Sequence, residues 1–187
     1  MFSAFFDTCV LFKPYLRDTI LSIAEAGLYR PLWSTGVLEE LERNLLERGV
    51  TGPQVRHLRN QLGVVFPGAE VTGYTDLIDA MTNDPKDRHV LAAAIRGGAE
   101  VLVTENLKDF PASSMQRYDI EAVHPDVFLL DQLDLAPRTV HKALRTQVSR
   151  YRHSPRSVGE LLDILTNDSH ACREFAAACR RDTMWRS

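Results

Sequence analysis

The sequence predicts an α/β fold with a central, mainly parallel sheet, and three observations predict it. Short apolar runs of strand length alternate with amphipathic stretches of helix length through the first 128 residues. Gly, Pro and capping residues punctuate that alternation. From Asp126 onward the pattern becomes wholly helical. Together they place an α/β domain over residues 1–128 and a small helical extension over 129–187. Hydrophobic residues make up 44% of the 187, enough to fill a core and to exclude global disorder.

Phe2–Phe6 reads as a buried strand. Arg17–Ala26 reads as a helix with Asp18 as its cap, and Tyr29–Trp33 as a second strand. Ser34-Thr35 then starts an amphipathic helix over 36–48, with Val37, Leu38, Leu41 and Leu45 on one side. Thr51-Gly52-Pro53 opens a further helix through Leu62, Pro53 standing where a missing N–H costs nothing. Between Gly63 and Asn83 the pattern gives a weak strand at Val64–Phe66 and a short helix near Thr75–Met81. Asn83-Asp84-Pro85-Lys86-Asp87 opens a clear helix whose stripe is Val90, Leu91, Ala94 and Ile95, and Gly97-Gly98 ends it. Strands follow at Ala99–Thr104 and Ile120–Val123. Beyond them Pro137 starts a helix, Ser157-Val158-Gly159-Glu160 has the form of a capping box, and a last helix runs from Ser169 to Arg181.

Three cysteines, Cys9, Cys172 and Cys179, form no close pairs and match no zinc spacing, which fits a reducing cytoplasm and a cytoplasmic protein. No apolar run reaches the length of a membrane span, and the opening residues read as a strand rather than a signal peptide. The net charge of −3 is unevenly spread. Residues 1–130 hold 12 Lys+Arg against 18 Asp+Glu, whereas 131–187 hold 10 against 7. Two ordinary solvated surfaces would give this, as would an acidic catalytic domain beside a basic nucleic-acid-facing tail.

Four acids carry the chemical signal: Asp7, Glu40, Asp87 and Asp109. Asp7 ends the first strand, where ligands of a parallel sheet sit, although a turn aspartate would also stand there. Glu40 lies on the border of an apolar helix face, and periodicity alone does not separate it from Glu39 and Glu42. Asp87 falls in a first turn, where acids satisfy free N–H groups, yet shares its face with Leu91 and Ala94. Asp109 follows Thr104 in a polar loop. Carboxylates converging at one sheet end repel one another, and bound Mg²⁺ or Mn²⁺ relieves that repulsion and equips the site to hydrolyse a phosphodiester.

Four segments carry a resemblance in order along the chain: Phe5-Phe6-Asp7-Thr8; Ser34 through Leu41; Asp84-Pro85-Lys86-Asp87-Arg88-His89-Val90-Leu91-Ala92-Ala93-Ala94; and Val103-Thr104-Glu105-Asn106-Leu107-Lys108-Asp109-Phe110. The chain resembles the PIN-domain family, especially the VapC-type toxins (virulence-associated protein C), over roughly the first 128 residues. The resemblance implies a three-layer α/β/α fold. It assigns the catalytic acids to Asp7, Glu40, Asp87 and Asp109, the metal ligands to Asp7, Asp87 and Asp109, and supporting roles to Thr8, Thr104 and Asn106. It also implies RNA cleavage leaving a 5′-phosphate, a homodimer, and a small antitoxin covering the acidic pocket. Two departures stand out. Cys9 occupies a position where many members have a small polar residue, and Asn106 one where many have an aspartate.

Residues 138–156 contain no acid and six cationic side chains, of which Arg138, Lys142, Arg145 and Arg152 fall on one helical stripe. That stripe is either a solvated face or a phosphate-tracking surface for tRNA or another folded RNA. His141 and His153 read as surface residues, and Trp185 as a packing or partner contact. Two other functions compete. A non-catalytic RNA-binding module with the same fold would gain nothing from acids that repel phosphate. An aspartyl-phosphate phosphohydrolase would want an aspartate where Cys9 stands.

Overall fold

A computed structural model of the chain describes residues 1–167 and 170–181. It forms two compact units. The first comprises Met1–Phe12 and Arg30–Val123; the second takes Lys13–Tyr29 together with the described residues from His124 onward. Sequence order places Lys13–Tyr29 with the N-terminal part, but the contacts of that segment lie with the C-terminal helices.

In the first unit five strands form a wholly parallel sheet in the order β3-β2-β1-β4-β5: β1 (Ser3–Phe6), β2 (Arg30–Ser34), β3 (Glu70–Val71), β4 (Val101–Val103) and β5 (Glu121–Val123). The predicted α/β class with its parallel sheet is therefore observed. Phe5 and Phe6 on β1, Leu32 and Trp33 on β2, and Leu102 on β4 are buried. Each stabilises the fold by about 1.5–3 kcal/mol relative to exposure.

Helix α1 (Thr8–Leu11) follows β1 directly, and α3 (Thr35–Glu47) starts where Ser34 Oγ accepts the Val37 N–H at 3.1 Å. Helix α4 runs over Gly52–Val65, so the strand expected at Val64–Phe66 is helix instead. Val64 is 74% exposed and Leu62 buried, so this apolar pair belongs to opposite sides of a helix rather than to a strand. The edge strand lies further on, at Glu70–Val71. Thr75–Ala80 forms a 3₁₀ helix where the short helix was expected.

Helix α5 (Arg88–Arg96) packs an unbroken buried run, Val90 through Ala94, and ends at Gly97 and Gly98, the latter left-handed with φ 66°. Gly97 has ordinary φ but no room. A Cβ there would lie 2.8 Å from Val71 Cγ2 and 3.1 Å from Leu32 Cδ1. Gly97→Ala is expected to destabilise the protein by ~1–3 kcal/mol through overpacking. A lowered urea midpoint at unchanged slope would show it. Helix α6 (Ala112–Met115) precedes β5.

The second unit is helical: α2 (Pro14–Glu25), α7 (Pro125–Leu135), α8 (Pro137–Ser149), α9 (Val158–Thr166) and α10 (Arg173–Arg181). Helix α2 starts three residues earlier than expected, with Lys13 as N-cap and Pro14 at N1. Asp18 therefore lies inside it and accepts the Tyr151 hydroxyl at 2.9 Å instead of capping. Gln147 of α8 ties α2 and α8 together, accepting from Thr19 Oγ1 at 3.1 Å and donating to the Tyr15 carbonyl at 3.3 Å. Asp126 of α7 accepts the N–H groups of Glu174 and Phe175 at the start of α10.

The expected capping box at Ser157 is half made. Ser157 Oγ accepts the Glu160 N–H, but Glu160 turns to Arg156 N–H and Ser154 Oγ. His141, expected at the surface, is fully buried, because its side of α8 joins the face of Val140, Leu144 and Val148. His153 is exposed. Ser169, the expected start of the last helix, and Trp185 lie outside the described residues. Among the described residues no helix is long and apolar enough to cross a membrane.

Candidate active site

Two strand ends make the floor of the site. Phe6 of β1 lies opposite Val103 of β4, so Asp7 and Thr104 leave the sheet as neighbours. The strand order puts β1 between β2 and β4, with connections diverging on either side. An open α/β sheet leaves its ligand crevice at the carboxyl ends of such strands.

Asp7 is both a helix cap and a site residue. Its Oδ1 accepts the Thr8 N–H at 2.7 Å as the N-cap of α1. Its Oδ2 accepts the Thr104 hydroxyl at 2.7 Å and the Cys9 thiol at 3.3 Å. Burial pushes the Asp7 carboxyl above its ordinary range. The donors Thr104, Cys9 and Thr8 pull it back, and the charge of Glu40 adds to the rise. Burial, reinforced by the charge of Asp7, raises the Cys9 thiol to about 12, so it stays protonated and remains a donor.

Glu40 is held by the Thr8 hydroxyl, which donates to its Oε2 at 3.1 Å. That contact separates three acids which helix periodicity leaves equivalent. Glu39 is exposed, and Glu42 pairs with Arg59 at 2.6 Å.

Asp87 closes a 3₁₀ turn, Pro85–Asp87, immediately before α5. The capping work falls to Asp84, whose Oδ1 accepts the Lys86 N–H at 3.2 Å. Asp87 makes no side-chain cap bond, and its Oδ2 is buried without a hydrogen-bond partner among the described residues. Burial raises its pKa to about 6. The charges of Asp7 and Asp109 push in the same direction, Lys86 opposes them, and Asp84 adds a smaller rise. Asp109 is buried in the turn Leu107–Asp109, its carbonyl accepting the Asp84 N–H at 3.2 Å and its Oδ2 standing 3.9 Å from Lys86 Nζ.

The structure thus joins Asp7, Thr8, Glu40 and Thr104 through hydrogen bonds and brings Asp87 and Asp109 within electrostatic reach. Asn106 is exposed and meets the group through its backbone, its N–H donating to Thr104 Oγ1 at 3.1 Å and its carbonyl accepting the Asp109 N–H at 2.9 Å. Arg138, Lys142 and Arg145 belong to the second unit, on the exposed side of α8. Arg152 is off that stripe, because the helix ends at Ser149.

Two features escaped the sequence reading, one in the hydrogen-bond network and one beside it in the chain. Cys9 looks there like a departure from pattern, but its S–H replaces the donor that a small polar residue would supply. Asn83, directly before the Asp84 turn, is buried with both side-chain polar atoms lacking hydrogen-bond partners among the described residues. Its place at the head of an Asn-Asp-Pro run was the signal available.

A divalent cation fits this chemistry. The buried Asp87 oxygen, unpartnered among the described residues and set among like charges, is an atom that a bound cation would satisfy. Among the described residues no three His, Cys, Asp or Glu side chains are gathered closely enough to hold a metal ion by themselves. Mg²⁺ does not require such a cage, since it binds through one or two carboxylates, retained waters and substrate phosphates.

Residues 3–108 match the PIN domain family, and the chain belongs to it. Residues 125–181 match the VapC50 C-terminal domain, so this is a PIN chain with a VapC-type C-terminal extension. Over 109 residues it is 50% identical to "Putative ribonuclease VapC50" of Mycobacterium tuberculosis (strain ATCC 25618 / H37Rv), covering 58% of this chain and 63% of that protein. The match therefore spans less than two thirds of that relative's length. No solved structure matches the chain.

Proposed function

We propose that the chain is a Mg²⁺- or Mn²⁺-dependent endoribonuclease and the toxin of a type II toxin–antitoxin pair. In this reading residues 1–128 cleave and residues 129–187 form a helical extension. The observation that carries it is the buried Asp87 oxygen, unpaired among the described residues and within electrostatic reach of Asp7 at the end of β1 and of Asp109 in the turn that follows β4. Leaving such a carboxylate ionised costs stability, which a non-catalytic RNA binder has no reason to bear. The kinship with a protein named as a ribonuclease supports the same reading.

Asp7, Asp87 and Asp109 would hold the cation. When bound, it neutralises their repulsion, polarises the phosphodiester and activates water for in-line attack. Thr104 and Cys9 fix the rotamer of Asp7, and Thr8 fixes that of Glu40. Glu40 Oε1 is left to accept a proton from the attacking water. Asn106 positions the Thr104 hydroxyl through its backbone. Arg138, Lys142, Arg145 and Arg152 contact RNA phosphates, tRNA being one folded RNA of suitable charge. A small antitoxin with basic side chains covers the acidic pocket, and the working form is a homodimer.

Incubating the purified chain with RNA and Mg²⁺ or Mn²⁺ tests the activity. Fragments with 5′-phosphate ends are expected, and none in EDTA. RNA binding without cleavage under any divalent cation would favour the non-catalytic module.

A further inference from the structure

We propose that the second unit carries a phosphodiester-binding groove between α8 and α9, centred on Arg145 and completed by Arg156 and Arg180. The inference deepens the RNA reading above and rests on it, naming the surface that grips substrate backbone.

Two concavities of about 330 and 410 Å³ adjoin there and share Arg145 and Val158 as a common wall. Arg156 lines the first and Arg180 the second, and no carboxylate lines either. Arg145 is exposed and makes no hydrogen bond or ion pair among the described residues. The Arg156 guanidinium donates to the carbonyls of Tyr151 at 3.3 Å and Arg152 at 2.8 Å, which orient the fork without neutralising its charge. Arg180 is shared with Asp163 and contributes less.

The neighbouring groove between α2 and α8 provides the contrast. It is larger than either of these two concavities, about 520 Å³, and holds Arg138, Lys142 and Arg150. Glu25 also lines it and pairs with Arg150 at 2.7 Å, so part of its charge is cancelled. The basic stripe of α8 is therefore divided: Arg138 and Lys142 serve one groove, Arg145 the other.

Phosphodiester oxygens suit the α8–α9 groove on two grounds. A planar guanidinium fork matches them bidentately. Two basins in series, sharing one arginine, suit an anion that repeats along a chain.

The test uses the full chain in EDTA and a fluorescein-labelled single-stranded oligoribonucleotide, with binding followed by anisotropy over roughly 50–200 mM salt. The Arg145→Gln/Arg156→Gln variant is expected to bind about tenfold more weakly at low salt. Its log–log salt slope should fall by about 1–2. Arg145→Lys should restore most of the slope, and Arg43→Gln, an exposed arginine of the first unit, should leave it unchanged. An unchanged slope in the double variant, with a melting curve matching the parent, overturns the proposal. So does equal competition by poly-glutamate of matched charge, which would make the groove a seat for acidic peptide. If the double variant melts early, Arg145→Glu alone decides the matter, since that side chain has no structural partner to lose. Without divalent cation the assay reads binding alone, so a failure to cleave RNA leaves its result standing, and a failed groove leaves cleavage standing.

Discussion

Asp7→Asn is expected to lower metal-dependent RNA cleavage at least ~10³-fold while the protein stays folded. The fold tolerates the change because asparagine caps helices as well as aspartate, and its amide oxygen still accepts the Thr8 N–H. Thr104 and Cys9 carry rotatable hydrogens, so they accommodate an amide where Oδ2 stood. What is lost is one negative charge at the carboxyl ends of β1 and β4. Cation-borne stabilisation of the phosphorane-like charge amounts to several kcal/mol, and each 1.36 kcal/mol is tenfold in rate. Single-turnover cleavage, Mn²⁺ titration by calorimetry and a thermal melt would together check it. Parent-like cleavage in a folded variant would remove Asp7 from the reaction.

Asp87→Asn is expected to act in opposite directions on activity and stability. Cleavage should again fall by about 10³-fold, because the oxygen proposed to hold the cation becomes part of a neutral amide. Metal-free stability at neutral pH should rise. In the folded protein Asp87 titrates near 6, above its ordinary value of 3.8. Between those values the folded state binds more protons than the unfolded one, so stability falls as pH rises through the window. The favourable contribution is complete below about pH 4 and lost above about pH 6. Asparagine has no such loss. After discounting for partial exposure, the gain at neutral pH is about 1–2 kcal/mol, which is ~2–8 °C in Tm for a chain of this size. The difference from the parent should shrink towards acid pH. Equal melting temperatures of parent and variant in EDTA at neutral pH, or a difference that grows on acidification, would contradict the strain ascribed to Asp87. Saturating Mn²⁺ should stabilise the parent and leave the variant unmoved.

Much of the site can be read from the residues themselves, because strand ends and capped helix starts have local signatures. Asp7 after an apolar run and Asp87 after Asp-Pro-Lys announce where the chain turns. The parallel sheet follows from the alternation of strands and helices, and its pairs are those that alternation permits. What sequence leaves undecided is geometry across the chain. Glu39, Glu40 and Glu42 become distinct only when Thr8, distant in sequence, supplies a hydroxyl to one of them. Cys9 is an oddity until Asp7 Oδ2 stands beside its thiol. His141 reads as polar and hence exposed, because periodicity reports how wide a buried stripe is only roughly. The strand expected at Val64–Phe66 fails for a similar reason: a short apolar run has the same composition in a helix as in a strand. Arg152 leaves the basic stripe because α8 stops three residues before it, without a glycine to mark the end.

The second unit draws α2 from the beginning of the chain and α8 from well past its middle. On the ribosome, residues 14–25 emerge long before residues 137–149 are made. At about 5–20 residues per second the wait is roughly 6–25 s. During that interval Leu16, Ile20 and Ile23, all buried in the finished protein, have no α8 to cover them. Until α8 is made, the nascent polypeptide therefore leaves this hydrophobic stretch of α2 without its partner helix. A gene fragment beginning at residue 124 would encode α8 without the helix that completes its hydrogen-bonded partnership through Gln147.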